Sequence, residues 1–376
     1  MQRALSPIFD NRDDTPSGGL PVDAALEREL RELGVPILHS NRVRVRTSPR
    51  TDRRTPRGLA RYPARSDWRA RRSYTAEEFT VEELLELKQS TIALILPARE
   101  VATTIGPIVE QATRLLDIGL LDKALVIDAA SLDGTAEVAE AAGIAVVQED
   151  QLSSELGPAR GKGDAMWRAL RVLRSDIVVF ADTDTVEFGE HFLTGLLGPL
   201  LRDPEVQLVK GFFRRPIRAG GTFAPYGGQV TELMARPLLN LHAPELAVFD
   251  QPLAGETAAR RELLETLPFS AGYGVEIAML IDAWRKVGLD GLAQVNLGVR
   301  QNRSQSQRDL SVRELSAMAY AVLVAAQARF LGSDFADARA CGSISLPVRE
   351  GDDMMESRAV SLDERPPLAS IRDRRR

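Results

Sequence analysis

The sequence predicts an α/β protein: a mostly parallel sheet with helices on both faces. Three observations predict it. Short apolar runs of strand length alternate with segments of helical periodicity, the runs are apolar throughout, and acidic and glycine-rich turns collect where they end. Within TAEEFTVEELLELKQ, Thr80, with Glu83 three residues on, reads as the N-cap of a helix whose leucines follow at helical spacing. Directly after it, IALILP (Ile92 to Pro97) is a buried strand, and TIGPIVEQATRLLDIG has the spacing of the helix that returns from it. The next strands are ALVID (Ala124 to Asp128), IAVVQ (Ile144 to Gln148), IVVFAD (Ile177 to Asp182) and VQLVKG (Val206 to Gly211).

The 376 residues are 44% hydrophobic, enough for a large core. Cys341 is the single cysteine, so no internal disulfide exists and a reducing, cytoplasmic setting is expected. The first residues lack the apolar centre of a signal peptide, and the run Ala317 to Ala326 is too short to span a bilayer, so no membrane role is expected. Charge is uneven. Residues 1–80 hold 16 Arg, no Lys and 11 acids, which leaves about -10 for the rest of a chain of net charge -5. Aromatic residues are sparse among those arginines (Tyr62, Trp68, Tyr74), which speaks against base stacking, and no nucleic-acid partner is expected. Residues 1–74 read as a disordered Arg-rich extension, 75–215 as a nucleotide-binding half, 216–335 as an acceptor-binding half and 336–376 as a tail.

Open parallel sheets bind ligands beyond the carboxyl ends of their strands. The polar residues at those ends are Pro97-Ala98-Arg99-Glu100, Asp128, and Asp182-Thr183-Asp184. Two carboxylates one residue apart at a strand end suit a hard divalent cation, Mg²⁺ or Mn²⁺, that holds a diphosphate; an acidic turn capping the next helix is the plainer alternative. Gly161-Lys162-Gly163-Asp164 lets backbone approach a phosphate beside a lysine charge, yet it lacks the P-loop pattern, so an ATPase is unsupported. Asp128 is placed to accept hydrogen bonds from a base or ribose. His39, His191 and His242 have no partners at metal-site spacing, and no Gly-x-Ser-x-Gly elbow is present.

Assembled in order, LPA (Leu96 to Ala98), GKGDAMWRA (Gly161 to Ala169), VVFADTD (Val178 to Asp184), QLVKGFFRRP (Gln207 to Pro216), GGQVTELMARPLL (Gly227 to Leu239), QPLAGE (Gln251 to Glu256), LPFSAGYGVEI (Leu267 to Ile277), GLAQVNLGVRQNR (Gly291 to Arg303) and VSLDERPPL (Val360 to Leu368) resemble the glucosyl-3-phosphoglycerate synthases and their mannosyl relatives. These are retaining glycosyltransferases of the GT-A fold. The resemblance implies transfer of glucose from UDP-glucose to 3-phosphoglycerate, with a GDP-mannose-dependent mannosyl transfer as the alternative. It also implies a divalent metal and a homodimer. In that picture Pro97, Ala98, Glu100, Asp128, Lys162, Asp182 and Thr183 bind the donor. Asp184, Lys162 and Glu276 carry the chemistry, and the metal sits on Asp184 with the position of Asn302. Gly228, Gln229, Thr231, Tyr273 and Arg300 receive the acceptor. No covalent nucleophile is implied; attack on the face the leaving group departs from is.

The sequence departs from the family at Arg99-Glu100-Val101-Ala102, where Pro-Ala is usually followed by x-Asn-Glu-Glu. It departs again at Ala129 for a serine, Gln229 for an arginine and Asn302 for a metal-binding histidine. Two other classes therefore stand beside the transferase: a silent sugar-nucleotide-binding homologue, and a nucleotidyltransferase that releases diphosphate. The transferase reading expects the two acids to face a cleft without arginines taking them.

Overall fold

The chain divides into two compact units, Met1–Pro56 and Arg57–Arg376. The computed structural model describes residues 61–214, 228–300, 312–332, 342–347 and 355–373, all in the second unit. The expected disorder of residues 1–60, and the residues His39, Cys341 and Asn302, fall outside the described residues.

The chain enters through a helix, Arg61–Arg72 (α1), a short strand, Ser73–Thr75 (β1), and the helix Val81–Leu87 (α2). Thr80 Oγ1 accepts the Glu83 amide at 3.2 Å, the cap that the sequence predicts. There follow Ile92–Ala98 (β2), Ala102–Asp117 (α3), Lys123–Asp128 (β3), Thr135–Ala141 (α4), Ala145–Gln148 (β4), Lys162–Val172 (α5), Ile177–Phe180 (β5), Glu190–Arg202 (α6) and Leu208–Arg214 (β6). Next come Arg236–His242 (α7), Thr257–Arg260 (β7), Arg261–Glu265 (α8), Phe269–Ser270 (β8), Val275–Val287 (α9), Leu292–Val299 (β9) and Val312–Leu331 (α10). Ser343–Pro347 (β10), Met355–Ala359 (β11), Glu364–Arg365 (β12) and Leu368–Asp373 (α11) close the described chain.

The main sheet has the order β1-β9-β6-β7-β5-β2-β3-β4. Every neighbouring pair is parallel except β5·β7 and β6·β7, so β7 alone runs backwards. Strand alternation assigns the core. Leu94, Leu96, Ile177 and Val179 pack on one face under α3 and α6, while Ile95, Val178 and Phe180 pack on the other under α5 and α9. With all but one strand pointing the same way, the ends of β2, β3, β5, β6 and β9 share one edge, and the residues entering β7 return to that edge.

Two expectations about the ends of the chain are corrected. Residues 61–74 are part of the fold: α1 buries Trp68, whose Nε1 donates to the Leu289 carbonyl at 2.8 Å, and β1 pairs with β9 at the sheet's edge. The described part of the supposed tail is likewise built in, since β12 pairs with β8 and β10 pairs with β11. The run Ala317–Ala326 is the middle of the longer helix α10, whose Glu314–Leu331 stretch is long and apolar enough, by length and composition, to cross a membrane. In this fold its Ala321, Val322, Ala325 and Ala326 are buried, and its Arg329 pairs with Asp282 and Glu364.

Candidate active site

The acid triplet follows β5. Its backbone is tied down by two threonines: Thr183 Oγ1 donates to the Pro97 carbonyl at 2.8 Å, and Thr104 Oγ1 donates to the Thr183 carbonyl at 2.7 Å. Thr183, expected to bind the donor, thus spends its hydroxyl on the turn that aims its two neighbours. Asp182 packs against bare backbone, because a Cβ on Gly255 would stand 2.1 Å from Asp182 Oδ1.

Lys162 opens α5, where small neighbours allow a close fit: a Cβ on Gly163 would meet the Ser270 carbonyl oxygen at 1.9 Å. Lys162 Nζ reaches Asp182 Oδ1 at 2.6 Å and Glu276 Oε1, in the first turn of α9, at 2.7 Å. Burial alone lowers the ammonium pKa; the two carboxylates outweigh it and hold Lys162 protonated, well above its usual value. Lys162, Asp182 and Glu276, remote in sequence, are thus brought together.

Arg300, expected to receive the acceptor, follows β9, is 1% exposed, and lies against the acids. Its Nη2 lies 2.5 Å from Asp184 Oδ1, its guanidinium reaches Asp182 Oδ2 at 3.3 and 3.4 Å, and its Nη1 lies 2.6 Å from Glu256 Oε1. The expectation that no arginine takes the acid pair is therefore corrected. The Glu256 contact is an ion pair without hydrogen-bond alignment, and Glu256 Oε2 has no partner among the described residues. Burial raises the Glu256 carboxyl pKa against the pull of Arg300.

Beneath them Lys210, buried in β6, donates Nζ to the Ala254 carbonyl at 2.5 Å, and burial pushes its pKa down to about 8. Neither Glu256 nor Lys210 was singled out in the sequence, although a lysine inside the apolar run VQLVKG was a usable signal. Four carboxylates and three cations thus share the edge. Arg300 engages only Oδ1 of Asp184 among the described residues, which leaves Oδ2 for a hard cation, and carboxylate oxygens suit Mg²⁺ or Mn²⁺. Among the described residues no group of three or more His, Cys, Asp or Glu side chains is assembled for a metal.

Two strands along from β5, Asp128 is buried at the end of β3 and paired in register with Ala98 of β2. Its Oδ2 accepts the Ser131 amide at 3.1 Å and Gln148 Nε2 at 2.9 Å, while Oδ1 has no partner among the described residues. A buried carboxylate oxygen without a donor is costly unless a ligand supplies one. Glu100, expected to touch the donor, instead joins the two loops of this pocket: its amide donates to Ser131 Oγ at 2.9 Å and its Oε1 accepts the Leu132 amide at 2.9 Å. The other acceptor residues are spread out. Gly228 and Gln229 precede a π-turn over Thr231–Ala235, where Thr231 is buried, and Tyr273 is 54% exposed in the loop before α9.

No family model matches the chain. The glucosyl-3-phosphoglycerate synthase of Mycolicibacterium paratuberculosis is 41% identical over 322 residues, which cover 82% of this chain and 93% of that protein. The crystal structure of mannosyl-3-phosphoglycerate synthase from Rubrobacter xylanophilus is similar with a TM-score of 0.72 and 42% identity, over 82% of this chain and 98% of that one. The Mycobacterium tuberculosis glucosyl-3-phosphoglycerate synthase, crystallised with Mn²⁺, UDP-glucose and phosphoglyceric acid, is similar with a TM-score of 0.68 and 40% identity, over 78% and 95% of the two chains. Identity of this extent, along nearly the full length of those enzymes, makes this chain a member of the glucosyl-3-phosphoglycerate synthase family of glycosyltransferases.

Proposed function

We propose that the protein transfers glucose from UDP-glucose to the 2-hydroxyl of 3-phosphoglycerate with retention, releasing UDP and glucosyl-3-phosphoglycerate, with Mg²⁺ or Mn²⁺ bound. The reading is carried by one observation: Lys162 Nζ bridges Asp182 and Glu276 at the ligand edge of the sheet, in a chain 41% identical to a glucosyl-3-phosphoglycerate synthase.

In this reading Pro97, Ala98 and Asp128 border the nucleoside, and Oδ1 of Asp128, which has no partner among the described residues, accepts a donor group from base or ribose. Asp184 and Asp182 hold the cation, with the position of Asn302 alongside. The cation neutralises charge that builds on the departing diphosphate. Lys162 adds a fixed positive charge beside the same oxygens, and its two carboxylate contacts hold it in place before substrate arrives. Glu276, held by Lys162, borders the hexose. Gly228, Gln229, Thr231 and Tyr273 receive the acid and phosphate of the acceptor, and Arg300 supplies positive charge behind the acid pair. No side chain is assigned as a covalent nucleophile, so the acceptor oxygen enters on the face that the diphosphate leaves. Placement in the cytoplasm as a homodimer completes the reading.

The similarity to a mannosyl-3-phosphoglycerate synthase supports GDP-mannose as a second donor. Purified protein given 3-phosphoglycerate, Mn²⁺ and either UDP-glucose, GDP-glucose or GDP-mannose separates the two, with product read by mass spectrometry. A glucosyl product from UDP-glucose at the highest rate is expected; no turnover with any donor would leave a silent nucleotide-binding homologue.

A further inference from the structure

Behind the candidate site, residues 360–367 form a strap across the elements that carry Lys162 and Glu276. β12 pairs antiparallel with β8, with Glu364 opposite Ser270 and Arg365 opposite Phe269. The Ala271 amide donates to the Asp363 carbonyl at 2.8 Å, and a Cβ on Gly272 would stand 2.8 Å from the Ser361 carbonyl oxygen. Ser270 and Ala271 in turn lie on the start of α5. The Asp164 amide donates to the Ala271 carbonyl at 3.1 Å, and Gly163 touches Ser270 too closely for any side chain. Strap, loop and helix terminus are stacked without slack.

The charges follow the same path. Asp164, fully buried and two residues after Lys162, accepts Arg365 Nε at 2.6 Å and Arg365 Nη2 at 2.9 Å, one on each oxygen. Its Oδ2 also accepts the Arg160 amide at 3.0 Å and faces Arg168 Nε at 3.3 Å. Arg168 directs its terminal nitrogens elsewhere, onto the carbonyls of Leu152, Gly157 and Pro158. The two-pronged partner of Asp164 is therefore Arg365, which also lies over the Trp167 ring, while Trp167 Nε1 donates to the Pro366 carbonyl at 2.8 Å. A bidentate arginine fixes a carboxylate's direction as well as its charge. Lysine at the same place supplies charge without the fork.

We propose that Arg365 is a positioning residue for the transfer reaction: through Asp164 and the 270–274 loop it fixes α5 and the start of α9, and so sets Lys162 against Asp182 and Glu276. The inference rests on the transferase reading above. If Arg365 acts by holding Lys162, its loss costs little once Lys162 is gone; a residue that only stabilises the fold costs the same in either background.

The test uses the full chain and four variants, Arg365→Gln, Arg365→Lys, Lys162→Ala and the double variant Lys162→Ala/Arg365→Gln. Each is assayed with UDP-glucose, Mn²⁺ and 3-phosphoglycerate, beside hydrogen exchange of peptides covering 160–166 and 269–275. Arg365→Gln is expected to lower kcat roughly 30-fold, the scale of a misplaced catalytic group, and to leave the KM for 3-phosphoglycerate within about threefold. Exchange should rise in those two peptides and stay unchanged in β2 and β5. The double variant should be no slower than Lys162→Ala alone. Arg365→Lys, which keeps the charge, should fall between wild type and Arg365→Gln, and it carries the test if the glutamine variant does not fold. A kcat within twofold of wild type, or a double variant slowed by the product of the single losses, overturns the proposal. If the wild-type protein transfers no sugar, the transferase reading falls, and unchanged exchange in 160–166 and 269–275 then overturns the strap as well.

Discussion

Arg300 Nη2 lies 2.5 Å from Asp184 Oδ1, so the acid expected to grip a cation also carries an arginine partner. The pair sits at the rim of the cluster, where Asp184 is partly exposed and its second oxygen is unclaimed among the described residues. Removing Asp184 takes away a ligand and leaves Arg300 with Asp182 and Glu256. The variant Asp184→Ala is expected to weaken Mn²⁺-dependent UDP binding about a hundredfold, the loss of a charged metal ligand, with the melting temperature within a few degrees of wild type. Calorimetric titration of UDP with Mn²⁺ checks the first, and a thermal scan the second.

Gly255 supports Asp182 by having no side chain. A Cβ there would stand 2.1 Å from Asp182 Oδ1, the oxygen that accepts Lys162. Gly255→Ala is expected to displace Asp182 and cut kcat by about a hundredfold, as a shift of an ångström does. Protein yield and the far-ultraviolet circular dichroism spectrum should stay unchanged, because the clash falls on a side chain at the site.

Lys210 gives a pH signature. Its folded pKa is pushed down to about 8 from an ordinary value of 10.5, so the unfolded chain binds this proton more tightly. Below pH 8 both states are protonated and the burial penalty is fully present. As pH rises from about 8 to 10.5 the folded state sheds the proton first, and this group's contribution makes the protein more stable. Lys210→Met is expected to be more stable than wild type at pH 7, by an amount on the order of 3 kcal/mol at most, and the gap should shrink between pH 8 and pH 10. Denaturant melts of both proteins at pH 7, 8, 9 and 10 measure it.

The described part of the arginine-rich front end is packed into the fold. Trp68 is buried against Phe249, with ring centroids 5.0 Å apart, and Arg72 pairs with Asp203. Trp68→Ala is expected to destabilise the fold by about 3–5 kcal/mol, the range for an emptied aromatic site. A truncation that begins at Arg61 should keep wild-type kcat, whereas one that begins at Ala76 should lose several degrees of melting temperature. Denaturant unfolding and steady-state kinetics on the two truncations decide it.

What the sequence revealed followed from pattern strength. β2, β3 and β5 were legible because each is a continuous apolar run buried on both faces, and the acid pair and Lys162 were legible because they sit where those runs end. β7 was missed: TAAR is four residues long, with two alanines and no aromatic, and it is a strand because β5 and β6 flank it. α1 was hidden by its own composition, since seven of the twelve residues Arg61–Arg72 are charged or proline, and Trp68 is the one large apolar side chain it buries among the described residues. Arg300 was legible as a functional charge but not as a partner of Asp184, because a contact across more than a hundred residues leaves no trace in spacing. VSLDERPPL was legible as a motif, but the contacts of Arg365 and of its strand were hidden for the same reason, in a segment whose charge and proline content resemble a solvated tail.

Glucose transfer at this sheet edge is expected to depend on a hard divalent cation. The most direct measurement is the initial rate at which purified protein forms UDP and glucosyl-3-phosphoglycerate from UDP-glucose and 3-phosphoglycerate, before and after chelation. Turnover that the chelator abolishes and that Mn²⁺ or Mg²⁺ restores is expected. A rate indifferent to the chelator, or tight UDP binding with no sugar transferred under any metal, would contradict it.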